Sequence, residues 1–272
     1  MESQRLIKEL LISGEIFILF LTGIVAGFLS GFLGIGGGIV TVPVILYFLE
    51  GRVPDENLFL AASTISLAVI IFSAANASLK HIKHKNFYKK AIMPIALGSI
   101  IGPIPGNYIC YIISDQARII FFAVVIFVLA VKILWFRNQD ESIKANFNFW
   151  LMFIAGMVMG MISSMTGLGG GAVLVPMLTV FLHFDIKKAI GISTIVMIFT
   201  ATSGIIGRAF TGISDYLSWD VFLPFFLAIT IGSLFSARLG ASFNIKSKSK
   251  NIKVFAATLY FIVAFKMIYK VL

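Results

Sequence analysis

The chain has 272 residues, of which 59% are hydrophobic and 12% charged, against roughly half apolar and a quarter charged in soluble domains, which excludes an ordinary soluble domain. A formal net charge of +10 would point to nucleic acid in a soluble protein. Here the lysines and arginines occupy short loops between apolar runs, so they read as a topology signal and as attraction to a membrane surface.

Taken in chain order, stretches without Asp or Glu run over 16–49, 58–79, 91–113, 119–136, 147–182, 189–210, 221–243 and 252–270. A spanning helix needs about 20 apolar residues, so 16–49 and 147–182 are too long for one straight helix and require a bend or break. The first run continues apolar with no small-residue cleavage site, unlike a signal peptide. This pattern describes an all-α polytopic membrane protein.

Both overlong segments carry the same glycine-rich motif. Residues 23–43 read GIVAGFLSGFLGIGGGIVTVP and residues 156–176 read GMVMGMISSMTGLGGGAVLVP, identical at 11 of 21 positions at an offset of 133. The shared residues include Gly34/Gly167, Gly36-Gly37-Gly38/Gly169-Gly170-Gly171 and Pro43/Pro176. Past the loop at 50–57 the offset becomes 130, matching Ser63-Thr64 to Ser193-Thr194, Ser73 to Ser203, Pro94 to Pro224 and Gly102 to Gly232. The chain therefore divides into a first repeat (1–138), a polar linker (139–146) and a second repeat (147–272).

Residues 80–90 carry five lysines and residues 244–253 four, which places both loops in the cytoplasm. Four plain spans separate them, so segment 147–182 must enter and leave by the same face, turning at Gly167–Gly171. Segment 16–49 should do likewise. The counterpart of residues 80–90 is 210–220, with Asp215 and Asp220 and no lysine. One loop is cytoplasmic and its equivalent external, so the expected fold is two inverted repeats of about five helical elements each. The first two elements of each repeat form a broken hairpin at the glycine motif.

Gly23, Gly27 and Gly31, like Gly156, Gly160 and Ser164, are spaced for close helix packing. The triplets go further, because each glycine weakens a helix by about 1 kcal/mol relative to alanine and broken backbone survives at membrane depth only inside protein or along a cavity. New helices should begin near Gly37 and Gly170, with Pro43 and Pro176 in the second turn. If both breaks meet near the midplane, two helix N-termini, each with about half a positive charge, form a site for a small anion. The absence of Asp and Glu from the apolar segments agrees with that sign. Candidate binding residues are therefore Gly34, Gly36, Gly37, Gly38, Gly167, Gly169, Gly170 and Gly171. Hydroxyls beside them, Ser63, Thr64, Ser193, Thr194 and Thr166, are candidates to line the path.

Asn76, aligned with Ile206, is an asymmetric specificity candidate, and Arg238 is the most deeply placed cation, a candidate counter-charge. Arg208 and Lys132 lie nearer their segment ends. His81, His84 and His183 read as surface histidines too scattered for a metal site. The sole cysteine, Cys110, allows no intrachain disulfide or cysteine metal cluster. No nucleophile with a partner base lies within the spans, so an enzyme is not expected, nor a cofactor or metal.

The paired GFLSGFLGIGGGIVTVP-type motifs, the H-x-x-x-x-N-F run at His81–Phe87 and the G-x-x-x-x-x-R-x-G run at Gly232–Gly240 resemble the TauE/SafE sulfite exporter family over nearly the whole chain. The resemblance implies a multi-pass plasma-membrane exporter, bacterial or archaeal, of sulfite, sulfoacetate or a related sulfonate. The implied partners are that anion and the lipid bilayer, with a homodimer as the assembly to consider. The first half departs from the arginine pattern, with Pro103, Pro105 and Asn107-Tyr108 where the second has Ser233, Phe235 and Ala237-Arg238. The alternatives are an anion channel, or a membrane subunit acting only with a partner.

Overall fold

The computed structural model describes residues 2–135, 145–210 and 216–271. Most of the expected linker, and Asp215, lie outside the described residues. Every regular element described is helical. α1 (Glu2–Leu33) and α2 (Gly38–Leu49) flank the first glycine motif, and α3 (Leu58–Lys83) follows. α4 (Lys89–Ile101) and α5 (Pro103–Ile112) precede α6 (Asp115–Trp135). α7 (Phe149–Thr166) and α8 (Gly171–Val180) flank the second motif, followed by α9 (Ile186–Ala209), α10 (Trp219–Lys246) and α11 (Ser249–Val271).

Among the described residues, six stretches are long and apolar enough to cross a membrane: Gly14–Leu33, Asp55–Lys83, Lys89–Ile112, Phe149–Thr166, Ile186–Ala209 and Trp219–Lys246. The apolar runs at 119–136 and 252–270 belong to α6 and α11, which pack on each other. Large apolar side chains such as Phe17, Met93, Ile104, Trp150, Phe235 and Phe265 remain exposed. Exposure on that scale marks a surface that faces lipid rather than water.

The glycine motifs are hairpin turns. Gly34, Gly36 and Gly37 have φ of 68°, 78° and 78°, and Gly167, Gly169 and Gly170 have 72°, 70° and 81°. This left-handed region is costly for any residue with a Cβ. After the turn, Gly37 lies against Ala26 and Gly170 against Met159, so each chain doubles back along the helix it has just left. With 12 and 10 residues, α2 and α8 are about 18 and 15 Å long, roughly half of a 30 Å hydrocarbon core. Each overlong segment is thus broken and folded back into a hairpin. Pro43 and Pro176 fall in the second turn of α2 and α8.

Equivalent helices find equivalent partners. α1 packs on α10, and its repeat counterpart α7 packs on α4. Gly23, Gly27 and Gly31 of α1 rest on the backbone at Ile229, Ser233 and Ala237, while Gly156 and Gly160 of α7 rest on Ile95 and Ser99. Close backbone contact, the ordinary use of small residues in lipid, accounts for those glycines. The span α4–α5 is interrupted at Gly102, because Pro103 has no N–H to continue the ladder and its ring crowds the preceding turn. α10 has Ser233 at the matching position and stays continuous.

Polar contacts gather at two ends of the bundle. At one end Arg52 pairs with Glu15 at 2.6 Å and lies over the Phe225 ring, and Asp115 accepts from the Phe59 amide and pairs with Arg118 at 2.9 Å. At the other end Asn86 donates to the Lys187 carbonyl at 3.1 Å, Lys187 Nζ donates to the Ile245 carbonyl at 2.9 Å, and the Asn146 amide donates to the Leu182 carbonyl at 2.9 Å. Tyr88 packs edge-on to Phe147 and Phe184 there. Both lysine-rich loops therefore lie at the second end.

A Cβ on Gly171 would meet the Gly34 carbonyl oxygen of the opposing motif, whereas one on Gly14 would meet nothing. Gly171→Ala is expected to destabilise the detergent-solubilised protein by about 1–3 kcal/mol, seen as a lower thermal midpoint. Gly14→Ala should leave the midpoint unchanged; equal midpoints for the two variants would contradict the packing described.

Candidate functional site

The two glycine turns meet in the buried centre. Gly38, the first residue of α2, lies against the Gly167 carbonyl and Leu168, and Gly171, the first residue of α8, lies against the Gly34 carbonyl. Gly36 approaches the Leu168 carbonyl in the same layer. The structure thus brings all eight candidate glycines together, with Gly37 and Gly170 as the helix N-caps. The two helix starts are laid against each other's turns, and the first amides of a helix have no partner within it.

Hydroxyls occupy the carbonyls of these turns. Ser193 on α9 donates to the Gly34 carbonyl at 2.7 Å, and Ser66 on α3 donates to the Gly167 carbonyl at 2.8 Å while bonded to Thr41 of α2 at 2.8 Å. Covering these acceptors removes negative ends that would otherwise repel an anion at the helix starts. Repeat alignment would have given the second task to Ser63, the equivalent of Ser193. Ser63 is instead held by Arg208.

Arg208 is fully buried, at 1% exposure. Its guanidinium donates to the Leu60 carbonyl at 3.1 Å, Ser63 Oγ at 2.9 Å, Thr64 Oγ1 at 2.5 Å and the Ser164 carbonyl. One side chain on α9 thereby ties the start of α3 to the last turn of α7 beside the second glycine turn. A cation at that place also complements the negative end of the α7 dipole. A cavity of about 290 Å³ runs beside it, lined by apolar side chains of α3, α9, α10 and the residues just before α10, with Thr64 and Ser218 supplying hydroxyls.

The remaining candidates divide. Thr194 donates back to the Gly191 carbonyl, and Thr166 bonds Ile162 and receives the Leu168 amide, so it shapes the α7 end of the turn. Asn76 donates across to the Leu234 carbonyl of α10 at 2.5 Å, away from the turns. Arg238 is exposed on α10, off the face that α10 buries, so the structure does not bring it to the site. Of the histidines expected at the surface, His84 is exposed, His183 half-buried, and His81 completely buried. The correction arises because α3 continues through Lys83, which puts His81 on the packed face of a helix rather than in a loop.

Arg208 and His81 were legible by period rather than by depth. Ile190, Thr194, Met197, Ala201, Gly204 and Arg208 are buried at helical steps of three and four along α9, and Ile70, Ala74, Ala77 and His81 along α3. Counting residues from the end of an apolar run hid both. Ser66 faces Val196 in the repeat, so duplication gave no signal for it.

The sulfite exporter TauE/SafE family profile matches residues 19–267. A probable membrane transporter protein of Haemophilus influenzae is 31% identical over 264 residues, covering 94% of this chain and 98% of the relative. Probable membrane transporter protein YunE of Bacillus subtilis is 24% identical, covering 93% and 97%, and one of Methanocaldococcus jannaschii is 24% identical, covering 89% and 91%. No solved structure matches the chain.

Arg208→Gln is expected to lose about 1.5–3 kcal/mol, because hydrogen bonds to a charged donor are removed and buried acceptors are left behind. Arg238→Gln, at an exposed position, should stay within about 0.5 kcal/mol. Thermal or denaturant unfolding of the two purified variants checks this, and the reverse order would sink the assignment of Arg208 as the central cation.

Proposed function

We propose that this chain, which belongs to the sulfite exporter TauE/SafE family, is a secondary transporter that exports a small sulfur-containing anion, sulfite or an organosulfonate, across the plasma membrane. One observation carries the reading: the starts of α2 and α8 converge on each other's glycine turns in the buried centre. The turn carbonyls are occupied by hydroxyls and Arg208 lies one hydroxyl away. Such a junction offers donors and positive potential to an oxyanion, and the spans bring no carboxylate to it.

Two inverted repeats around that junction would work by alternating access. The first hairpin has Glu15 and Arg52 at its open end, the second Asn146 and Leu182, and these pairs lie at opposite ends of the bundle. The exchange of partners between α1–α10 and α7–α4 supports the same inversion. Rocking one hairpin-bearing half against the other would expose the junction first at the lysine-rich, cytoplasmic end and then at the Arg52 end. The tightly buried turns favour a carrier over a fixed open filter.

The test is anion flux into proteoliposomes of the purified protein, with sulfite, sulfoacetate, taurine, sulfate and chloride compared. Saturable flux of a sulfur oxyanion or sulfonate is expected, reduced at least tenfold when Ser66 and Ser193 are both changed to Ala. Conductance far above carrier turnover would make it a channel, and no flux of any anion would leave a partner-dependent subunit. Single cysteines at Ser218 and Ser247 in a Cys110→Ser background should label from opposite sides; labelling from the same side would overturn the inversion.

A further inference from the structure

The equivalents of one backbone carbonyl are held by two different bases. Gly31 in α1 and Ser164 in α7 correspond at the motif offset of 133, and each lies in the last turn before its glycine break. The Ser164 carbonyl receives Arg208 from α9. The Gly31 carbonyl receives His81 Nε2 from α3 at 3.3 Å. Neither repeat offset pairs Arg208 with His81, because Arg208 aligns with Ser78, about one helical turn earlier. The longer arginine makes up that turn. Each half thus latches the carbonyl end of its hairpin helix to a long helix through a basic side chain, at opposite ends of the bundle. One latch carries a permanent charge and the other a titratable ring.

The surroundings of His81 fix which nitrogen takes a proton. The amide nitrogen of Asn86 donates to the Lys187 carbonyl at 3.1 Å, and the same nitrogen lies 3.1 Å from His81 Nδ1. Nδ1 is therefore an acceptor, and Nε2 carries the hydrogen donated to Gly31. The neutral ring completes a bridge from α1 through α3 and Asn86 to the first turn of α9. Gly191 of α9 belongs to the bridge, since a Cβ there would meet the Asn86 backbone oxygen and approach His81 Nδ1.

We propose that His81 is the proton-binding residue of this transporter and that the coupling ion is a proton, which rests on the carrier reading given above. A proton on Nδ1 sets N–H against the Asn86 amide donor. Asn86 must turn, and its bond to Lys187 is lost, while the bond from Nε2–H to Gly31 at the negative end of α1 persists. The tie between the first hairpin and α9 opens at the lysine-rich end, and the junction gains access there. Like charges add to the effect. Lys80, Lys83, His84 and Lys85 lie on the same helix end and loop, Lys89 and Lys90 on α4, Lys187 and Lys188 on α9, and Arg238 and Lys246 on α10. Asp185 at the start of α9 is taken by the Lys187 and Lys188 amides, and α1 brings no charge near Gly31. A charged ring is accommodated best when that end is open to water, so protonation selects the open end.

Two readouts decide this. A Ser78→Cys reporter in a Cys110→Ser background sits beside His81 at 4% exposure. Its maleimide reaction, normalised to the same reporter carrying His81→Gln, should accelerate about tenfold from pH 8 to pH 5, the loss of about one buried hydrogen bond. In proteoliposomes with a trapped pH dye, the wild type should move protons with the anion. His81→Gln should move no protons with whatever anion flux it retains, and His81→Arg should make the reporter rate independent of pH. A flat normalised rate, or proton movement that persists in His81→Gln, overturns the proposal. If the wild type moves no anion, the carrier reading fails, while the reporter still decides whether His81 opens this end.

Discussion

Everything in this molecule is arranged around two stretches of bare backbone pressed together in the buried centre. Gly38 and Gly171 occupy ordinary helical positions, yet each would drive a Cβ into the carbonyl of the opposing turn. Gly34, Gly36 and Gly37, with Gly167, Gly169 and Gly170, answer a different requirement, a left-handed backbone. The triplet is thus needed for conformation at its first two positions and for contact at its third. Helix packing in lipid could not ask for all three, and the two requirements together explain why the motif is repeated with so little change.

Bare backbone brings an obligation, because an unsatisfied polar group at membrane depth costs several kcal/mol. The protein meets it from outside the hairpins. Ser193 and Ser66 supply the turn carbonyls, and Arg208 and His81 supply carbonyls one turn back. All four donors come from α3 and α9, the two long helices that cross between the hairpins. These helices hold both turns in place, and a shift of either one changes the hydrogen bonding of both. That coupling, rather than hydrophobic contact, links the centre of the bundle to its ends.

Much of this frame could be read from the residues, because helix breaks, apolar length and duplication all leave marks in one dimension. The helix starts near Gly37 and Gly170 followed from glycine chemistry, and the doubling back of both segments from their length and the sidedness of the lysine-rich loops. The donors were harder. Ser63-Thr64 and Ser193-Thr194 stood out as a repeated pair, but Ser63 is drawn to Arg208, and Ser66, which aligns with Val196, takes its place at the turn. Arg238 looked deep by its position in an apolar run, and is exposed because its angle on α10 points away from the buried stripe. Depth along a helix and direction around it are independent, and only the second decides whether a cation enters a site.

The differences between the halves matter as much as their likeness. In the repeat alignment Ser66 corresponds to Val196, Ser78 to Arg208 and Asn76 to Ile206, and the proline-kinked α4–α5 corresponds to the continuous α10. Two halves of identical sequence would make states open to either end equal in energy. Here one end is tied by a permanent cation with two carbonyls and two hydroxyls, and the other by a neutral ring and an amide. Breaking the first leaves a charge to be solvated, and breaking the second does not, so the two openings differ in free energy even with nothing bound. A ligand shifts such an equilibrium only by its different affinity for the two states. An anion able to replace the acceptors around Arg208 would lower the costlier opening, while a proton would lower the other. On the carrier reading proposed above, the shared frame permits access from both ends, and the unequal fittings set which end is open at rest.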